Sequence, residues 1–508
     1  MYKPTIGLEV HVELNTKSKM FCSCKNDADE SRPNVNICPV CMGHPGTLPV
    51  INGEAVRKVI KTGLALDCEI AEHSRFDRKN YFYPDLPKGY QISQYDAPFC
   101  KEGFLKIANK KVKIKRIHLE EDTGRSVHAI ESGGKIEKQE DWEAISSGPT
   151  EKMLDQYKQE DYSLVDFNRA GVPLMELVTE PDLDSGKEAK LFGQEFQLIL
   201  RYLGVSEAGM EKGQMRVEVN ISLSESKKLG TKVEIKNLNS FRSVEKAIDF
   251  EINRQKELLE SGQRIIQETR GWHDLKEITF SQREKEKSHD YRYFPEPDLP
   301  PLSLAPELIQ SIKSEIPELP KHYRERFIRE YELTKEDAEF FVQRKDMGGY
   351  LEKIISEFGE RIPKNDLAQL IKSAVNYLTT DLQGLLRGAS IKGKEFLITP
   401  ENFSEFILLI YKKKISSKTA KTVLAEMFQS GADPHHIIED KNLNQIDSES
   451  EIEDIIKTVI SENQEAVADF QKGKTNSFQY LIGKAMTKSS GKADPALAAK
   501  ILKKLLTK

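Results

Sequence analysis

Two short stretches of this 508-residue chain carry side chains whose types and spacing suit metal chemistry. The first runs from Thr5 to Leu14, where polar and apolar residues alternate strictly. A strand puts residues two apart on one face, so Glu9, His11 and Glu13 project together while Ile6, Leu8, Val10, Val12 and Leu14 face a core. A carboxylate and an imidazole side by side can bind a cation, although a solvated strand face has the same pattern. The second stretch holds Cys22 and Cys24, a gap of 13 residues, then Cys38 and Cys41. Two close cysteine pairs separated by a short loop supply four thiolates for a tetrahedral, closed and therefore structural zinc site. The other two cysteines, Cys68 and Cys100, stand apart, so a disulfide scaffold is excluded.

Further acidic and basic residues sit where strands end or present polar faces. Glu120 and Glu121 close a strand at 112–119, and Glu176 lies in Pro173-Leu174-Met175-Glu176-Leu177. The polar face of a strand at 215–223 carries Arg216, Glu218 and Asn220, and that of 231–236 carries Lys232, Glu234 and Lys236. As neighbours these strands would make a charged floor fit for phosphates; as solvated strands they would look the same. Residues 77–96 show no period and concentrate Lys79, Lys88, tyrosines and aspartates between prolines and glycines, as a binding loop does. The run from Gly388 to Glu395 nearly matches a phosphate-binding P-loop, but Glu395 replaces the hydroxyl residue and the run follows a helix, which excludes it.

The elements that must position these groups fall into an α+β class, a strand-rich mixed domain followed by all-α regions. Helical spacing appears at 53–66, 186–203 and 243–260, among strands that dominate the first ~290 residues. Four prolines between Pro295 and Pro301 mark a boundary, after which nearly every pattern is helical, including 364–388. The expected domains are 1–294, with the cysteine insert at 22–41, then 295–395 and 396–508. Residues 130–161, rich in Gly, Glu, Lys and Gln, read as an exposed insertion. The chain is acidic overall, net −5, yet Lys472 to Lys508 contains nine lysines against Asp494 alone, where a polyanion could dock. No apolar run is long enough for a membrane span, and alternation from Thr5 leaves no signal peptide, so a cytoplasmic protein is expected.

Several long words of the sequence together resemble the B subunit family of the aspartyl/glutamyl-tRNA amidotransferases, the GatCAB complexes. They are IGLEVHVEL at 6–14, CPVCMGHPGTLPVIN at 38–52, FDRKNYFYPDLPKGYQISQYD at 76–96 and RIHLEEDTG at 116–124. SLVDFNRAGVPLMELVTEPD at 163–182, GTKVEIKNLNSFRSVEKAI at 230–248 and HDYRYFPEPDLPPL at 289–302 continue the series. The resemblance implies a carbon–nitrogen ligase of translation that uses ATP, Mg2+ and structural Zn2+. Its B subunit phosphorylates the side-chain carboxylate of Glu-tRNA(Gln) or Asp-tRNA(Asn), and ammonia then displaces phosphate. An A subunit supplies the ammonia from glutamine, and a small C subunit holds the heterotrimer together. The implied magnesium ligands are Glu9, His11, Glu121 and Glu176, with Glu120 the alternative to Glu121, and the zinc ligands are Cys22, Cys24, Cys38 and Cys41. Lys79, Lys88, Arg216 and Lys236 are implied at the phosphates or the mouth of the ammonia path. The last region resembles a YqeY-type module, so Lys472, Lys474, Lys484, Lys488 and Lys492 are expected to touch tRNA. Two departures stand out: the 130–161 segment is long, and Glu218 replaces the family's common Asp. A zinc-stabilised tRNA-binding module with no chemistry of its own is the competing reading.

Overall fold

A computed structural model describes residues 2–128, 163–226, 228–284, 292–359, 362–393, 395–443, 448–489 and 492–506. The expectation for 130–161 lies outside these residues. The chain divides into two compact units, Met1–Leu319 and Pro320–Lys508.

The first unit is built on strands β1 (Lys3–Glu13), β2 (Glu69–Ile70), β3 (His73–Ser74), β4 (Asp77–Asn80), β5 (Tyr90–Ser93), β6 (Cys100–Ile107), β7 (Lys110–Glu121) and β8 (Arg125–His128). They continue with β9 (Ser163–Asp166), β10 (Pro173–Thr179), β11 (Met215–Ser224), β12 (Val233–Leu238), β13 (Glu268–His273), β14 (Ile278–Glu284), β15 (Arg292–Pro295) and β16 (Leu302–Ser303). Nine of them form one sheet in the order β14-β13-β12-β11-β1-β10-β7-β6-β2. Only its β12–β13 pair is parallel, so β1 sits at the middle with β10 and β11 running antiparallel beside it.

The alternation in β1 decides what each face of the sheet does. Ile6, Leu8, Val10 and Val12 are fully buried, and helices α1 (Gly53–Ala65), α2 (Gly186–Leu203) and α3 (Phe241–Glu260) cover that face. Each helix begins where a short polar side chain satisfies its first amides: Asn52, Ser185 and Ser240 cap α1, α2 and α3. Their apolar stripes, Val59 and Ile60, Phe192 and Phe196, Val244 and Ile248, fill one core with the strands. The other sheet face, left uncovered by these helices, carries the polar residues.

Two expectations change here. Residues 77–96 are not wholly loop, because β4 and β5 pair with β15 in a second, three-stranded sheet. Four-residue strands are too short to show a period. The same pairing keeps residues beyond 294 in the first unit, as does the packing of helix Pro306–Ser314 on α1, so the boundary falls after Leu319 and not at 294.

The second unit is helical, as the composition beyond the prolines indicates. The expected helix at 364–388 is two, Lys364–Thr379 and Asp381–Leu386, separated at Thr380. Helix Pro400–Tyr411 packs against Lys345–Glu357 and Lys364–Thr379, so residues on either side of 395 share one packed group. Helices Glu449–Glu462, Thr475–Lys488 and Pro495–Leu506 make a separate core through Ile452, Ile456, Val459, Leu481, Ile501 and Leu502. Among the described residues, no helix is long and apolar enough to cross a membrane.

Candidate active site

Strand register brings the chemistry-bearing residues onto the polar face of the large sheet, the face away from α1, α2 and α3. His11 on β1 stands opposite Glu176 on β10 and Arg216 on β11, and Glu176 in turn stands opposite His118 on β7. Two positions along β1, Glu9 lies opposite Glu218, and Asn220 lies opposite Glu234 on β12. The side chains condense into two groups. His11, Glu120 and Glu176 offer ligand atoms within 4.8 Å of one another, and so do Glu9, Glu218 and Glu234.

Glu121 is not part of either group, which corrects the expected ligand set. The alternation of Ile117 and Leu119 continues without interruption to the end of β7, so Glu121 points to the face opposite Glu120. There it accepts a hydrogen bond from the Ile92 amide at 2.9 Å and pairs with Lys88. Lys88 therefore also lies away from the acidic face. It lines a cavity of about 60 Å³ beneath the cysteine loop, with Phe21, Cys22, Cys41 and Glu121. Glu9, expected among the same ligands as His11, belongs to the neighbouring group.

Each acidic group is neutralised by cations of the chain itself. Glu176 lies 3.4 Å from His11 Nε2 and 3.2 Å from His118 Nε2, and Glu120 lies 3.7 Å from His118 and accepts from Ser93 Oγ at 2.9 Å. Burial raises the cost of ionising Glu176, but the two imidazoles outweigh it and hold its carboxyl well below the usual range. Burial works against the charged form of His118 as well, yet Glu176 and Glu120 push it up to about 9. In the second group Lys236 lies 2.9 Å from Glu218 and 3.5 Å from Glu234, and Asn220 donates to Glu9 at 2.8 Å. Lys79 on β4 completes the surroundings, where its charge helps keep Glu120 ionised after His118 has done so.

His118 has a consequence for stability. Its pKa is raised on folding, so its contribution is fully present below about 6.5 and disappears as pH rises through about 9. Thermal unfolding of the metal-free chain should show stability falling by about 3 kcal/mol across that window, and His118→Gln should flatten the decline.

Arg216 is held from below. Asp122, buried at the end of β7, accepts from Arg216 Nη2 at 2.9 Å and from Arg169 Nε at 2.8 Å, and Arg169 also pairs with Glu13 at 2.7 Å. Burial pushes the Glu13 carboxyl up to about 7 despite Arg169, whereas the two guanidiniums overcome burial at Asp122 and keep it ionised. Sequence reasoning did not single out His118, Asp122 or Arg169. His118 was available to it, since the period that pairs Glu9 with His11 also pairs His118 with Glu120.

The cysteines form the third cluster. Cys22, Cys24, Cys38 and Cys41 present their sulfurs within 4.8 Å of one another, and none is in a disulfide. A bridge between Ser18 and Lys25 closes the first turn, and the Cys38 amide points at Cys41 Sγ at 3.2 Å. Four thiols gathered in this way could hold a metal ion. In the second unit Lys472, Lys474, Lys484 and Lys488 are exposed and Lys492 is half-buried. Lys474 and Lys488 pair with Asp469 and Glu462, and Lys484 lies 5.4 Å from the Tyr480 ring.

The first unit is a helix-covered mixed sheet with clustered carboxylates on its polar face, and the second unit is helical. Residues 4–310 match the GatB/GatE catalytic domain, and residues 358–506 match the GatB domain. The B subunit of the aspartyl/glutamyl-tRNA(Asn/Gln) amidotransferase of Thermotoga maritima is 44% identical over 511 residues, covering 99% of each chain. Those of Dehalococcoides mccartyi and Caldicellulosiruptor saccharolyticus are 43% and 44% identical, covering 99% and 100% of this chain and 99% of each relative. The chain belongs to the GatB family of amidotransferase B subunits.

Proposed function

We propose that this chain activates the side-chain carboxylate of Glu-tRNA(Gln) or Asp-tRNA(Asn) with ATP and completes the amide with ammonia. A carboxylate is a poor electrophile, so phosphorylation must precede attack by nitrogen. ATP transfers its γ-phosphoryl group to the carboxylate oxygen with release of ADP; ammonia then adds to the acyl carbon, phosphate leaves, and one proton is lost. The observation that carries this reading is the placement of two acidic groups side by side on one polar sheet face, between Arg216, Lys236 and Lys79.

The groups fit divalent cations. Among the described residues, Asn220 Oδ1 is buried without a hydrogen-bond partner beside Glu9, an acceptor suited to an ion or its water. Bound Mg2+ on Glu9, Glu218 and Glu234, or on Glu120 and Glu176 with His11, would neutralise the crowded oxygens of phosphoryl transfer. Around such ions this chain's own residues orient and screen. Arg216, braced by Asp122, presents a guanidinium next to His11, and Lys236 offers an ammonium that can turn from Glu218 toward a phosphate. The cysteine cluster fits zinc, since zinc–sulfur distances of about 2.3 Å give sulfur separations inside the spread found here.

The partners follow from the same reading. Ammonia is mostly protonated in water and needs a sheltered route, so an A subunit with glutaminase activity would dock on this unit and a C subunit would steady the pair. The helical unit, with Lys472, Lys474, Lys484, Lys488 and Lys492 near its end, would contact the tRNA backbone. The test is conversion of Glu-tRNA(Gln) to Gln-tRNA(Gln) by the purified heterotrimer with ATP, magnesium and an ammonium salt. Ammonium bypasses glutamine hydrolysis, so product reports the activity of this chain. Binding of both misacylated tRNAs without turnover of either would favour a tRNA-binding module.

A further inference from the structure

Lys19 is fully buried, and among the described residues no carboxylate pairs with its ammonium; the nearby Glu121, whose Oε2 also borders Gly171, is paired with Lys88 instead. Its ammonium lies 3.8 Å from Cys41 Sγ and donates to the Phe167 carbonyl at 3.3 Å. The chain around it is clamped: the Lys19 amide donates to the Cys24 carbonyl, the Met20 amide donates to Gly171, and Asn52 donates to the Lys19 carbonyl. Its stem runs past Gly171, where an added Cβ would meet Lys19 Cδ at 3.6 Å, so the ammonium has little freedom to leave. An isolated buried ammonium costs several kcal/mol. One carbonyl does not offset that cost.

A metal-loaded cysteine cluster supplies what is missing. Four thiolates and one divalent cation carry 2 − 4 = −2, a buried dianion that itself needs a counter-charge. We propose that Lys19 is the built-in counter-cation of the four-cysteine centre, so that the buried lysine and the metal-thiolate cluster stabilise each other. This rests on the reading of the cluster as a zinc site. It adds that the centre includes a residue beyond its four ligands, and that zinc affinity is set partly by a lysine on the preceding turn. Orientation of ligands by a neighbouring group commonly contributes roughly 10–100-fold to metal affinity.

The experiment is zinc competition on the full-length chain against a chromophoric chelator, for wild type, Lys19→Met and Lys19→Gln. Lys19→Met keeps the stem and removes the charge; Lys19→Gln also removes the charge and keeps a polar N–H, one bond short of the lysine nitrogen. Both should bind zinc roughly 10–100-fold more weakly than wild type, and Lys19→Met should raise the melting temperature of the zinc-stripped chain while lowering that of the zinc-loaded one. If Lys19 only props the Phe167 segment, both variants lose the same stability with and without zinc. That result, or affinities within about threefold of wild type for both variants, overturns the proposal. A wild-type chain that retains no zinc at stoichiometric concentration overturns the zinc reading itself and the proposal with it.

Discussion

Glu120→Gln should lower Glu-tRNA-dependent ADP release by about 10³-fold, while Glu121→Gln retains most of it. The two glutamates are adjacent in sequence and opposite in space. Glu120 shares the group of His11 and Glu176, where phosphoryl oxygens would lie; Glu121 anchors the Ile92 amide and Lys88 on the other side of the sheet. Removing one carboxylate from a cation site forfeits several kcal/mol of transition-state stabilisation, which is the source of the expected loss. ADP release is the discriminating readout, because a change near Lys88 can alter later steps without touching activation. Filter binding of Glu-tRNA(Gln) serves as the control and should be unchanged in both variants. Equal losses of ADP release, or a larger one for Glu121→Gln, would remove Glu120 from the site.

The largest effect on stability is expected at Asp122. Its carboxylate holds Arg169 and Arg216 together, and it is almost wholly enclosed. Asp122→Ala leaves Arg169 paired with Glu13 and frees Arg216 from its brace. Breaking a buried ionic network by removing one partner costs about 3–5 kcal/mol, so denaturant unfolding of the first unit should shift by that amount. Asp122→Asn keeps the shape and one acceptor and should lose less. A loss below about 1 kcal/mol for Asp122→Ala would mean that water replaces the carboxylate and that Arg216 is not braced.

Much of this site is legible in the sequence, for a physical reason. Strand alternation has period two, so β1 announces which of its residues face the core and which face outward, and the structure follows it from Ile6 to Leu14. The same rule applied to β7 places Glu120 and His118 with His11. The expectation of Glu121 required a bulge that β7 does not make at its end. Spacing alone brings the cysteine sulfurs to mind as a set, and they lie together. What sequence cannot show is contact between distant segments. Asp122 meets Arg169 and Arg216 across 47 and 94 positions, and Lys19 reaches Phe167 across 148. Nor do four-residue strands such as β4 and β5 leave a periodic signal, although their pairing with β15 carries the first unit past the proline-rich segment.

The central claim is that the carboxylate of the aminoacyl-tRNA is phosphorylated before nitrogen attacks it. It is tested most directly by charging tRNA(Gln) with glutamate labelled with oxygen-18 in its side-chain carboxylate, then following amidation by the heterotrimer with ATP and ammonium. Phosphorylation of that oxygen requires one labelled oxygen to appear in inorganic phosphate for each amide formed. Unlabelled phosphate accompanying labelled Gln-tRNA(Gln) would contradict it, and would mean that ATP cleavage drives some other step.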